Sequence, residues 1–211
     1  MRGSTAGERT RRLVAVAAVA TGCALMLTGC FVIPLADGRS PFDGPGNPSF
    51  RDIADQYEPV TAAVEGVLPS DQWVIEPTTL TDNCEGPCNL SLGVEVRPSA
   101  SVVAAVLASG ELSGPSGRFA VPLSTDQLVA VVKAVVPVAA AARLRFSVEG
   151  GCVYGEDVYD DSVCTDLTVA GQQILGTTEE FASDPDFVFA DDSFTVRTAT
   201  RPADEILARL D

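Results

Sequence analysis

Hydrophobic and polar positions recur along this chain with two periods. Phe50, Ile53, Tyr57, Val60, Val64 and Val67 fall at the three-and-four spacing of one helical face, behind Ser49-Phe50-Arg51-Asp52, which has the form of a capping box. The spacing predicts one amphipathic helix bent at Pro59. Trp73-Val74-Ile75 predicts a strand, and Leu90, Leu92, Val94 and Val96 alternate with Ser91, Gly93, Glu95 and Arg97, as in a strand buried on one face. A helix over residues 101–109 stops at Gly110, and Ser124-Thr125-Asp126-Gln127 opens a long apolar helix containing Leu128, Val131, Val132, Val135 and Val136. Strand periodicity returns at residues 144–148, at Leu167-Thr168-Val169 and at residues 194–198, and a short helix over residues 202–210 closes the chain.

These elements predict an α+β fold, a single domain with helices packed on an antiparallel or mixed sheet. Its two halves share an order of capped helix, strand, cysteine-bridged connection and strand, a weak internal repeat.

The first residues change the picture of where the domain works. Arg2, Arg9, Arg11 and Arg12 precede an uncharged run from Leu13 to Gly29, the layout of an export signal. The run ends in Leu27-Thr28-Gly29-Cys30, which resembles the lipobox of bacterial prolipoproteins. That resemblance implies a signal-peptidase cut between Gly29 and Cys30 and a diacylglyceryl thioether on Cys30 at the outer face of the cell membrane; Thr10 and Leu13-Val14 match the twin-arginine pattern poorly, so Sec export is the expected route. An uncleaved membrane helix is the alternative, since the run is near the lower length limit for spanning a bilayer. Cys23, after Ala20-Thr21-Gly22, fits the motif less well.

On this reading residues 1–29 are the signal peptide, and residues 30–49 hold the lipidated cysteine and a tether rich in proline and glycine. Residues 50–211 form the extracytoplasmic domain. The 19 residues after Cys30 reach at most ~60 Å when extended, enough for the domain to stand clear of the bilayer.

Removing residues 1–29 takes away four of 14 basic and one of 29 acidic residues, leaving 10 against 28 and a net charge of −18 over 182 residues. Nucleic acid and anionic lipid headgroups are therefore poor partners, whereas cations suit the surface. Four cysteines remain besides Cys23 and Cys30. In an oxidising compartment disulfides Cys84–Cys88 and Cys152–Cys164 are expected, chosen on geometry because Gly86-Pro87 can turn the chain and strands flank the second pair. Cys84-Glu85-Gly86-Pro87-Cys88 has one residue too many for a thioredoxin-type motif and is followed by strand alternation, so it reads as a structural clip.

The chain has no histidine, which removes Ser/His/Asp and Cys/His catalysis. Lys133, the sole lysine, sits at the edge of an apolar helical face, where a lysine snorkels. Glu156, Asp157, Asp160 and Asp161 lie within the Cys152–Cys164 loop and could supply oxygens to calcium, although no EF-hand spacing is present and a solvated loop is the simpler reading. Asp184, Asp186, Asp191 and Asp192 form a second acidic group. Trp73, the only tryptophan, reads as core rather than as a ligand platform.

Tyr57-Glu58 in the first helix, Trp73 soon after it, the cysteine-containing connections and the long Ala/Val helix give residues 50–175 an outline similar to the LppA-like lipoproteins of actinobacteria. The resemblance implies location and α+β architecture only. The functional expectation is a non-enzymatic envelope module that binds a partner protein, lipid or small ligand, its surface an apolar groove or patch. A calcium-binding or calcium-stabilised domain is the alternative.

Overall fold

The computed structural model describes residues 48–81, 90–109, 119–154, 162–190, 193–199 and 201–211. The signal segment, Cys30 and the tether before residue 48 lie outside the described residues, as do Cys84, Cys88, Glu156, Asp157, Asp160 and Asp161.

The fold is α+β. Helix α1 (Phe50–Ala54) starts at the Ser49 capping box: the Ser49 hydroxyl accepts from the Asp52 N–H, and the Asp52 carboxylate accepts from the Ser49 N–H. Helix α2 (Tyr57–Glu65) follows as a separate element, a correction to the single bent helix. Pro59 has no N–H to give the carbonyl four residues back, at Asp55, and its ring crowds that carbonyl, so the helix breaks before the proline rather than bending at it. Strand β1 (Trp73–Thr81) pairs antiparallel with β2 (Leu90–Pro98), and helix α3 (Ala100–Ser109) and strand β3 (Phe119–Pro122) come next.

The long helix α4 (Thr125–Ala141) opens at a second capping box, Ser124 with Gln127, and completely buries Leu128, Val131, Val132, Val135, Val136 and Ala139. It ends in a Schellman motif: the Arg143 N–H donates to the Ala140 carbonyl and the Leu144 N–H to the Ala139 carbonyl, with Arg143 left-handed at φ 56°. Strand β4 (Phe146–Gly150) then leads to β5 (Cys152–Val153), β6 (Val163–Asp166) and helix α5 (Thr168–Leu175). The chain finishes with β7 (Ala182–Ser183), β8 (Phe187–Ala190), β9 (Ser193–Val196) and helix α6 (Ala203–Ala208).

Leu167-Thr168-Val169 was expected as a strand and begins α5 instead, while the strand lies just before it. A short apolar run has no period of its own. Here the Asp166 carboxylate accepts the Thr168 N–H at 2.8 Å, and Gly176, left-handed at φ 64°, stops the helix.

Six strands form one mixed sheet in the order β1-β2-β4-β9-β8-β7, and β3-β6-β5 form a second. The central pair β2 and β4 is parallel, and the other neighbours in the large sheet are antiparallel. β1 and β2 are neighbours in one sheet, whereas β4 and β6 stand in different sheets, so the shared order of elements in the two halves does not become a shared topology. Helix α4 packs against α2, α5, α6 and β4, and the core lies between these helices and one face of the large sheet, with Leu92, Val94, Phe146, Val148, Phe194 and Val196 fully buried.

Prolines mark the sheet edge. The Ser99 N–H donates to the Gln72 carbonyl, so alternate residues of β1 bond to β2 and those between them turn outward. Pro77 is one of the outward set, where its missing N–H costs the ladder nothing. The same parity explains the disulfide. The Thr165 N–H donates to the Gly151 carbonyl, which leaves Cys152 and Cys164 as a close, non-hydrogen-bonded pair with Cα atoms 4.0 Å apart, and they are bridged as the sequence predicted.

Candidate ligand-binding site

Alternation sends every second residue of the large sheet away from the helices. On that open face the register sets three rows across β2, β4 and β9. One row places Gly93 beside Ser147 and Ser147 opposite Thr195; the next places Glu95 beside Glu149 and Glu149 opposite Ser193. One step beyond the paired segments, Ser91 lies beside Arg145, whose carbonyl accepts the Leu92 N–H, and Arg145 faces Arg197. These side chains line an open cavity of about 500 Å³, with Leu80 on its β1 side and Val188 on its β8 side.

The cavity floor is therefore polar, and graded along the strands. Two guanidiniums stand at one end, a hydroxyl pair in the middle and a carboxylate at the other end. The hydroxyls of Ser147 and Thr195 are 2.7 Å apart and hydrogen-bonded across strands separated by 48 residues of sequence. The Arg197 guanidinium donates through Nη1 to the Asp184 carbonyl at 3.2 Å, which holds its head towards the β8 side of the sheet. The apolar groove expected for a binding module is not what forms this cavity: the half of each strand's alternation that points away from the helices does, and within it Ser91 and Ser147 are themselves buried.

Burial raises the Glu149 carboxyl above its usual range, and the neighbouring Glu95 raises it further. Glu95 and Glu76 lie opposite one another on β2 and β1, and both engage Arg97, Glu95 at 3.6 Å from its Nε. Gly151 makes room for this group, because a Cβ there would fall 2.2 Å from the Glu95 carboxylate and 2.3 Å from Arg97 Cγ.

The other residues singled out by sequence have structural places. Trp73 is buried in the core, and its indole N–H has no hydrogen-bond partner among the described residues. Lys133 pairs with Asp211 at 2.5 Å, tying α4 to the chain end. Asp184 and Asp186 of the second acidic group are answered by arginines of the C-terminal segment. Arg209 donates to Asp184 at 2.5 Å and to Asp186 at 2.6 Å while lying 4.9 Å over the Phe187 ring, and Arg201 pairs with Asp186 at 3.1 Å. Hydrogen bonds to Asp184, then Asp186, raise the Arg209 guanidinium above its already high value. This clasp holds α6 to the start of β8. Asp191 and Asp192 lie outside the described residues.

Among the described residues no three His, Cys, Asp or Glu side chains gather as metal ligands would, and no helix is long and apolar enough to cross a membrane. The residues that sequence reasoning missed are Arg145, Ser147, Glu149, Thr195 and Arg197. For all but Glu149, which follows directly on the first segment, the signal was present as the polar half of the alternation at residues 144–148 and 194–198, but only pairing brings the two halves together. Compared with known proteins, the chain matches no family, no curated protein and no solved structure.

Proposed function

We propose that this chain is an extracytoplasmic lipoprotein, anchored to the cell membrane through lipid on Cys30, whose domain binds a small polar ligand on the open face of its large sheet. The observation that carries the binding role is the convergence of Arg145, Ser147, Glu149, Thr195 and Arg197 on one cavity of about 500 Å³. A volume of that order suits a small molecule, and a few placed polar groups are what fix a ligand's orientation. A chain without histidine, carrying an export signal and a tether, fits a binding module better than an enzyme.

Two measurements test the reading. Intact mass of protein from membranes of a lipoprotein-processing host is expected to show a lipid increment that Cys30→Ala removes; an uncleaved, unlipidated chain refutes the anchor. Amide shifts in a screen of small polar compounds are expected to cluster at residues 145–149 and 193–197 and to vanish in Ser193→Trp, which fills the cavity. Ligand-induced shifts that survive this variant would place binding elsewhere.

Calcium is the second reading, favoured by the disulfide that holds the ends of the Glu156, Asp157, Asp160 and Asp161 loop 4.0 Å apart. Millimolar calcium is then expected to raise the melting temperature, and an unchanged value rejects it.

A further inference from the structure

We infer that the ligand of the sheet-face cavity is dipolar, a short peptide of about two to four residues with its ammonium end against Glu149 and its carboxylate end towards Arg145 and Arg197. The inference rests on the binding reading above and adds the ligand's chemistry to it.

The argument begins with strand direction. β4 runs Arg145, Ser147, Glu149 along one face, and β9, antiparallel to it, matches them with Arg197, Thr195 and Ser193. Both strands thus place their arginine at the same end, and the floor has a positive end and a negative end instead of mixed charge. Four residues of strand separate the Arg145 and Glu149 Cα atoms by about 13 Å at ~3.3 Å per residue. Long side chains leaning inward shorten that span. A free amino acid, whose charges are adjacent, is too short to reach both ends, whereas an extended peptide of two to four residues reaches about 7–14 Å.

Each end suits its proposed group. Arginines directly opposite one another on neighbouring strands repel, and an anion between them relieves this. Arg145 and Arg197 each also have interactions within the protein, and five N–H donors on each guanidinium permit further bonds beside those. At the other end Arg97 engages Glu95 and Glu76, while Glu149 has no ion pair among the described residues. An incoming ammonium supplies that charge and offsets both the burial of Glu149 and its repulsion by Glu95. The hydroxyls of Ser147 and Thr195 line the middle, where a peptide carries amide groups, and Ser193 stands at the Glu149 end. The net charge of the mature domain also attracts an ammonium and opposes a purely anionic ligand.

The experiment uses the full-length chain in detergent and a pool of tripeptides with randomised side chains, free, N-acetylated or C-amidated, read by amide shifts at residues 147, 149 and 195. Free peptides are expected to bind, and each cap to weaken binding about tenfold or more, the size of one lost charge-assisted hydrogen bond. Glu149→Gln is expected to erase the effect of N-acetylation while leaving that of amidation, and Arg145→Gln or Arg197→Gln the reverse. Affinity for the free pool is expected to rise with pH through the Glu149 titration, because the ionised carboxylate holds the ammonium. Caps without effect, effects that persist in the variants, or no binding of the free pool overturn the inference. If uncharged polar compounds still shift these residues while peptides do not, the cavity is a binding site for another chemistry and only the dipolar reading fails; if nothing shifts them, both readings fail.

Discussion

Replacing Gly171 with alanine sets two local effects against each other where α5 crosses β8. In the interior of a helix the substitution favours folding by about 1 kcal/mol, because glycine has the larger backbone entropy to lose. A Cβ built at Gly171, however, falls 2.5, 2.8 and 2.9 Å from Cδ2, Cε2 and Cγ of Phe189. All three are ring carbons, and the ring is 2 % exposed within the core, so it cannot swing aside into solvent. Overpacking of this kind costs about 1–3 kcal/mol, and the short contact to Cγ, the ring atom nearest the backbone, favours the upper part of that range. Strain therefore exceeds propensity, and a net loss of about 1–2 kcal/mol is expected. For a domain of this size that lowers the melting temperature by about 3–6 °C.

Urea and thermal unfolding of Gly171→Ala, Phe189→Leu and the double variant, followed by far-UV circular dichroism, measure both terms. The double variant is expected to lose less than the sum of the single variants, since the smaller side chain frees space for the new methyl. Gly66→Ala is the control: its Cβ would meet only two carbonyl oxygens, at 3.4 and 3.6 Å, with φ −70°, and little change or a small gain is expected. A Gly171→Ala protein as stable as the parent, or additive losses in the double variant, would refute the close approach of α5 to β8.

Three further outcomes follow from the geometry. Burial alone would raise the Asp184 carboxyl, but hydrogen bonds from Arg209 and from the Phe187 and Asp186 N–H groups, with the Arg209 charge, hold it below its usual range; its stabilisation is then present above the unfolded value of about 3.9 and lost as pH falls through the lower folded value. Arg209→Met should flatten that acid limb in pH-dependent melts and cost about 1 kcal/mol at neutral pH, discounted because Arg209 is 40 % exposed. Arg143→Gly relieves a left-handed non-glycine residue at the end of α4 and should raise stability by about 0.5–1 kcal/mol, seen as a higher urea midpoint at constant slope. Replacing Cys152 and Cys164 together by alanine opens a loop of sequence separation 12 and should cost about 3 kcal/mol, measured as a lower urea midpoint than the oxidised parent.

Much of the framework was legible locally. The capping boxes at Ser49 and Ser124 lie within single turns of chain, so the side chains that start each helix are neighbours in sequence. Alternation at residues 90–96 told which side of β2 enters the core, since a strand's side chains change faces at every residue. The bridge between Cys152 and Cys164 was accessible for a similar reason: two short strands joined by one connection bring its ends together. Local pattern failed where two local preferences competed. Pro59 broke a helix whose apolar spacing ran on through it, and Leu167-Thr168-Val169, too short to declare a period, runs into a helix whose first N–H, that of Thr168, is held by the Asp166 carboxylate.

The cavity belongs to a different level. Sequence determined that Arg145, Ser147, Glu149, Ser193, Thr195 and Arg197 face away from the core, because each alternates with a buried apolar neighbour. It did not determine that arginine meets arginine, hydroxyl meets hydroxyl, and Glu149 meets Glu95. Those meetings depend on the register of β4 against β9 and β2, strands about 50 residues apart in the chain. A shift of two residues would keep every apolar side chain on the core face and still scatter the charged ends of the cavity. Only the packed helices, turns and crossover connections of the tertiary structure choose among such registers, and they fix the charge gradient along the cavity floor.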